Sequence, residues 1–198
     1  MKKMLLFVVP ALIMILFVSC QKELSDPTVT GSTGGADIVG NWNFVSTYAS
    51  TQSTVQFSFF GTIFKTVTVT DYTSTNNAGT VVITSNSMAG TGLTYSVSDT
   101  AIAFSYEDNV LMDTIQQHFS FNIPPYSAVS PYKRINQDSI YFTGQGIDPS
   151  AGGGTRITLS GNMLKMTTAV VRDTTFDGGG YLVLQHSTAT AITTLQRQ

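Results

Sequence analysis

The sequence predicts an all-β chain folded as a single antiparallel up-and-down β-barrel of about 8–10 strands. Three observations lead to that expectation. Apolar residues recur at every second position in many short runs, whereas helical spacing is hard to find over any window of about eleven residues. The polar positions within those runs are rich in Thr, whose branched Cβ suits a pleated surface. Turn-forming residues punctuate the runs at short intervals.

In chain order, strands are expected near 39–49, 53–60, 62–72, 79–84, 93–97, 101–106, 114–122, 132–136, 139–143, 155–160, 162–171, 181–186 and 190–196, some of them merging. Phe57 and Phe59 alternate with polar residues, as do Val67 and Val69, Ile157 and Leu159, and Leu164 and Met166. Ser160-Gly161-Asn162 is a strong hairpin signal, and Asn136-Gln137-Asp138 a weaker one. Asn76-Asn77-Ala78-Gly79 separates two further runs, Phe60-Gly61-Thr62 reads as a tight turn or a Gly bulge, and Glu107-Asp108-Asn109 reads as a turn. Ser85 to Gly92 is expected as a polar connection with a helical turn around Met88. Pro124-Pro125 and Pro131 bracket an expected loop, because Pro donates nothing to a ladder. Gly144 to Gly154 and Asp173 to Gly180 read as two more loops. Meandering hairpins favour closure, which leaves no unpaired edge. A membrane-spanning barrel is disfavoured because its wall needs an apolar band with aromatic girdles, and the alternate positions here carry Thr, Lys and Asp.

Met1-Lys2-Lys3 followed by an apolar run from Met4 to Val18 reads as an export signal, short for a membrane span of about 20 residues. The run ends at Phe17-Val18-Ser19-Cys20, which resembles the lipobox of bacterial lipoproteins, with Phe17 where Leu is usual. That resemblance implies a signal peptide over 1–19, cleavage before Cys20, and acyl chains on Cys20 as a membrane anchor. Several chains hold durably where a single one holds marginally. Cys20 is the one Cys in the chain, so an internal disulfide is not possible. Residues 20–37 read as the lipidated Cys and a flexible tether of Ser, Thr, Gly, Pro and Asp. Cys20-Gln21-Lys22-Glu23 is similar to the short charged signals of outer-membrane lipoproteins, so the expected location is the cell outer membrane. Residues 38–198 form the expected single domain. Ten basic and twelve acidic residues exclude the basic footprint of a nucleic-acid binder, and loss of Lys2 and Lys3 takes the net charge to about −4.

Asp37-Ile38-Val39-Gly40-Asn41-Trp42 resembles the opening of lipocalin-like domains, whose first strand carries Gly-x-Trp after a short apolar lead-in. Trp42 is the single Trp of the chain. The layout as a whole is similar to lipocalin-like lipoproteins of Gram-negative bacteria. The resemblance implies a barrel-closing motif of Gly40, Trp42 and a cation from the last strand, for which Arg197 is the candidate. The later motifs of secreted animal lipocalins are not evident, so no retinol-type or steroid-type pocket is implied.

Catalytic signatures are lacking. His118 and His186 have no nearby Cys or paired His, no zinc spacing occurs, and no Gly-x-Ser-x-Gly elbow is present. Asp173 and Asp177 flank a Gly-rich loop that matches no calcium pattern. The expectation is therefore a monomeric non-enzyme without cofactor or metal. Tyr126 and Tyr132, in the expected Pro-rich loop, are the candidate exposed contacts for a sugar or partner, or else cover an open barrel end. Small barrels are either packed solid or hold one small ligand. The leading function is binding of a small hydrophobic or amphipathic ligand inside the barrel. The alternative is a structural or interaction lipoprotein with a packed barrel that presents loops to an envelope partner or glycan. A hydrolase is the least favoured.

Overall fold

A computed structural model describes residues 37–143 and 154–198. Nine strands and no helix occur among them: β1 (Gly40–Phe59), β2 (Thr62–Thr73), β3 (Thr75–Ile83), β4 (Ser87–Glu107), β5 (Val110–Asn136), β6 (Ser139–Phe142), β7 (Gly154–Ser160), β8 (Met163–Asp177) and β9 (Leu182–Arg197). All pairings are antiparallel, and pairing of β1 with β9 closes the sheet into a ring. β2 and β3 lie on the same side of β1, and both also pair with β4. They are two halves of one strand position, broken at Ser74. The break is held by Ser74 N donating to Thr47 O at 2.8 Å and Thr47 N donating to Ser74 Oγ at 2.7 Å. Nine strands thus fill eight positions around the ring.

The hairpin turns follow their residues. Phe60 and Gly61 have φ of 50° and 86°, and Asp108 and Asn109 have 47° and 66°. Two consecutive left-handed residues match the twist of the flanking strands, and Gly, Asn and Asp adopt that conformation most readily. Asp108 also ties two tips together: its N donates to Ile63 O, and its carboxylate accepts from Ile63 N, both at 2.9 Å.

Four expectations are corrected. Ser85–Gly92 is not a connection with a helical turn; from Ser87 it is strand, and Met88 is fully buried by its alternation. Asn76–Gly79 does not separate two strands but lies within β3, where register shifts absorb the irregular residues. The segment from Pro124 to Pro131 is part of β5 rather than a loop, because Pro124 and Pro125 fall at a break in its pairing with β4. Asp173–Asp177 belongs to β8, so the loop is only the turn that follows. The expected loop over 144–153 and everything before Asp37, Cys20 included, lie outside the described residues.

Among the described residues the ring is closed along only part of its height. β6 and β7 are 4 and 7 residues long, whereas β5 has 27 and β8 has 15. β5 meets β6 only over Tyr132–Asn136, and β8 meets β7 only over Met163–Thr168. Beyond those pairs, β5 and β8 each have a single partner among the described residues. The rest is a six-stranded sheet in the order β8-β9-β1-β2-β4-β5. The main hydrophobic cluster sits in the closed end, around Trp42, Ile83, Met88, Ile140, Leu164 and Leu195, all 0–1% exposed. Each such side chain contributes roughly 1.5–3 kcal/mol by leaving water.

Candidate functional site

Trp42 plugs the closed end. Its Nε1 donates to Ile38 O at 2.9 Å, and the Arg197 guanidinium lies 4.8 Å from the ring centroid. Arg197 Nη2 donates to Asp37 O at 2.5 Å, so the last strand is clasped to the lead-in of the first. Gly40, Trp42 and Arg197 are therefore brought together, at the floor of the molecule.

Above this plug the inward side chains shrink. Across β8, β9, β1 and β2 the register aligns Thr168, Ala191, Ala49 and Tyr72 in one row. The next row is Val170, Ala189, Thr51 and Thr70, and the next Arg172, Ser187, Ser53 and Thr68. The inward direction depends on a bulge. The β1–β9 register shifts between Phe44 and Ser46, so Val45 is an extra residue that changes the parity of β1. Phe44 and Trp42 then face the core from even positions, while Thr47, Ala49, Thr51 and Ser53 line the interior from odd ones.

Small residues in these rows leave a cavity of about 350 Å³. Its floor is apolar: Phe44, Val81, Met88, Leu93, Met166 and Leu195. One wall is hydroxylated, with Thr47, Thr51, Ser53, Thr168 and Ser187. Thr155 and Thr168 are buried and share a hydrogen bond of 2.7 Å, which satisfies both hydroxyls. The facing wall, from β2, β4 and β5, is aromatic, with Tyr72, Tyr95, Phe121 and Tyr126. Tyr72 and Phe121 meet edge to face at 6.0 Å, and Phe44 and Tyr95 are tilted at 6.1 Å. Such a volume, mostly apolar with a few directed polar groups, is at the small end of ligand-site dimensions. Arg172 is the one charged side chain among the lining residues.

The structure corrects the two Tyr contacts. Tyr132 is 4% exposed in the core, and its hydroxyl donates to Thr84 O at 2.6 Å. Tyr126 is half-buried, packs against the core and lines the cavity. Both sit on β5, where alternation turns them inward. The His residues lie apart. His118 is 3.5 Å from Ser98 Oγ, and His186 Nδ1 is 2.7 Å from the Asp173 carboxylate in an exposed pair. Among the described residues no cluster of three His, Cys, Asp or Glu could hold a metal.

Reading the sequence missed Arg172 and the small residues Ala49, Ala189 and Ala191. The signal was present: Val183, Gln185, Ser187, Ala189, Ala191, Thr193 and Leu195 alternate along β9, with the smallest side chains in the middle. Which parity faced inward was not visible from one strand. No family model matches the chain, and no curated protein or solved structure matches it.

Proposed function

We propose that this chain is a lipid-anchored lipoprotein of the cell outer membrane whose lipocalin-like barrel binds a small hydrophobic or amphipathic ligand and performs no catalysis. The cavity carries this reading. An apolar floor under hydroxyl and aromatic walls suits a molecule with a greasy body and a polar end. Lipidation at Cys20 rests on the sequence alone, through its lipobox-like context. A neutral apolar fluorophore, N-phenyl-1-naphthylamine, tests the cavity directly. Its emission is expected to rise with the wild-type chain and to fall to background with Ala191→Trp, which puts an indole into the cavity. Equal emission from a correctly melting Ala191→Trp variant would sink the reading.

One observation favours an interaction role as a second reading. Three hairpin tips at the far end from Trp42 expose Phe59, Phe60, Val110, Leu111, Met112 and Leu182, with Phe60 94% exposed. Apolar tips of this kind mark contact sites more often than solvent-facing ones. A photo-crosslinker at Phe60 that captured one envelope protein in cells, combined with failure of the fluorophore test, would favour this role over ligand binding.

A further inference from the structure

We infer that the mouth of the cavity selects a negatively charged head group, so that the ligand is a single-tailed anionic amphiphile. This rests on the cavity being a binding site and adds the class of ligand to it.

Arg172 lies two inward rows above the last β7–β8 pair, where β6 and β7 no longer stand between β5 and β8. It is half-buried and has no ion pair or hydrogen bond among the described residues. The next residue, Asp173, points to the opposite face, where it pairs with His186 at 2.7 Å, so the nearest carboxylate in sequence is already committed elsewhere. Beside Arg172 in its row stand Ser187 and then Ser53, whose hydroxyls are 3.1 Å apart. Gln185 Nε2 donates to both hydroxyls, at 3.3 Å each. The amide therefore donates to both oxygens, and with one hydroxyl donating to the other, one hydroxyl proton is left for a further acceptor. Neighbouring strands lie about 4.8 Å apart, so a head group seated on Ser187 is within reach of both Arg172 and Ser53.

The arrangement is polarised. Below it are small and apolar residues, Ala189, Ala191, Met166 and Leu195, that can take an alkyl chain. At its rim are one cation and several hydroxyls, and no acidic side chain lines the cavity. A partly dehydrated guanidinium without a counter-ion is unfavourable, and an anion supplied by the ligand relieves that cost through charge-assisted hydrogen bonds. A carboxylate and a phosphate monoester share this chemistry, and a fork-shaped guanidinium accepts either.

The test compares ligands built on a ten-carbon chain with different head groups, decanoate, decyl phosphate, decanol and decyltrimethylammonium, titrated calorimetrically into the purified full-length chain. Decanoate or decyl phosphate is expected to bind at least about tenfold more tightly than decanol, as one charge-assisted contact implies. The tighter of the two identifies the head group as carboxylate or phosphate. Arg172→Gln is expected to bring the ratio of anion to alcohol to within about twofold, and Arg172→Lys to retain part of it. Melting curves show that both variants are folded. The inference is overturned if decanol binds as tightly as the anions, if the cation binds best, or if Arg172→Gln leaves the ratio unchanged. If none of the four ligands binds and the fluorophore also fails, the cavity reading falls with it. If the fluorophore binds and the ratio is flat, only the head-group inference falls.

Discussion

Trp42 and Tyr132 show how single side chains divide the labour at the closed end. Trp42 is wholly buried, yet its indole N–H is satisfied by Ile38 O and its face by Arg197. Buried Trp needs such a partner, and the cation contributes about 0.5–2 kcal/mol depending on how dry the contact is. Tyr132 also buries a polar tip, which it resolves by donating to Thr84 O. Burial raises its phenol above the ordinary tyrosine range, although the nearby Arg134 guanidinium opposes this and Asp37 adds to it. The folded state therefore favours the neutral phenol. Its contribution is full below the unfolded tyrosine value and is lost as the pH rises through the folded one. Tyr132→Phe is expected to cost about 0.5–1.5 kcal/mol at neutral pH, the worth of one hydrogen bond. It is also expected to flatten the alkaline limb of stability against pH, as read by denaturant melts at several pH values. An alkaline limb identical to wild type would contradict the assignment. Trp42 and Arg197 could be named from the sequence because the Gly-x-Trp opening resembles that of lipocalin-like domains, and that resemblance implies a cation from the last strand over the indole. The burial of Tyr132 was not, because neighbouring Pro residues read as a loop.

At the scale of elements, irregular strands do more than regular ones. The bulge at Val45 reverses the parity of β1, so one strand presents Trp42 and Phe44 to the plug and Ala49 and Ser53 to the cavity. The interruption at Ser74 lets a single strand position bend between β1 and β4. Gly79 marks the tightest of these irregularities. Its φ is +113°, and a Cβ there would lie 2.7 Å from Gly92 O. Both the backbone angle and the facing backbone oppose a side chain. Gly79→Ala is expected to destabilise by about 1–3 kcal/mol in urea unfolding. A neutral result would mean that β3 and β4 separate there at little cost. Alternation revealed these strands, but their bulges could not be read from it, since a bulge is defined only against the partner strand.

Among the described residues, a packed end is combined with a hollow middle and a far end where β5 and β8 each keep a single partner. Closure through β1 and β9 removes edges at the packed end, where β6 and β7 complete the circuit. Above it the inward positions of β1 and β9 in the cavity wall carry only Ala, Ser and Thr, so the cavity forgoes the contacts that larger side chains would make. Function and stability should then trade against each other. Ala191→Leu is expected to raise the melting temperature while weakening fluorophore binding, since the added side chain enters existing space. A variant that melted lower and bound as well as wild type would mean that Ala191 does not face the cavity.

What the sequence determined by itself was the class of fold and the places of three hairpin turns, and the family resemblance of its opening named Trp42 and a cation from the last strand. The fold class and the turns follow from near neighbours: alternation and turn residues. The tertiary structure alone decided that the expected ring has eight positions and closes through β1 and β9, that β5 runs through its prolines, and that Arg172 and Ser53 share a row. Those facts depend on register between strands far apart in the chain, and a shift of one residue would have turned every lining side chain outward.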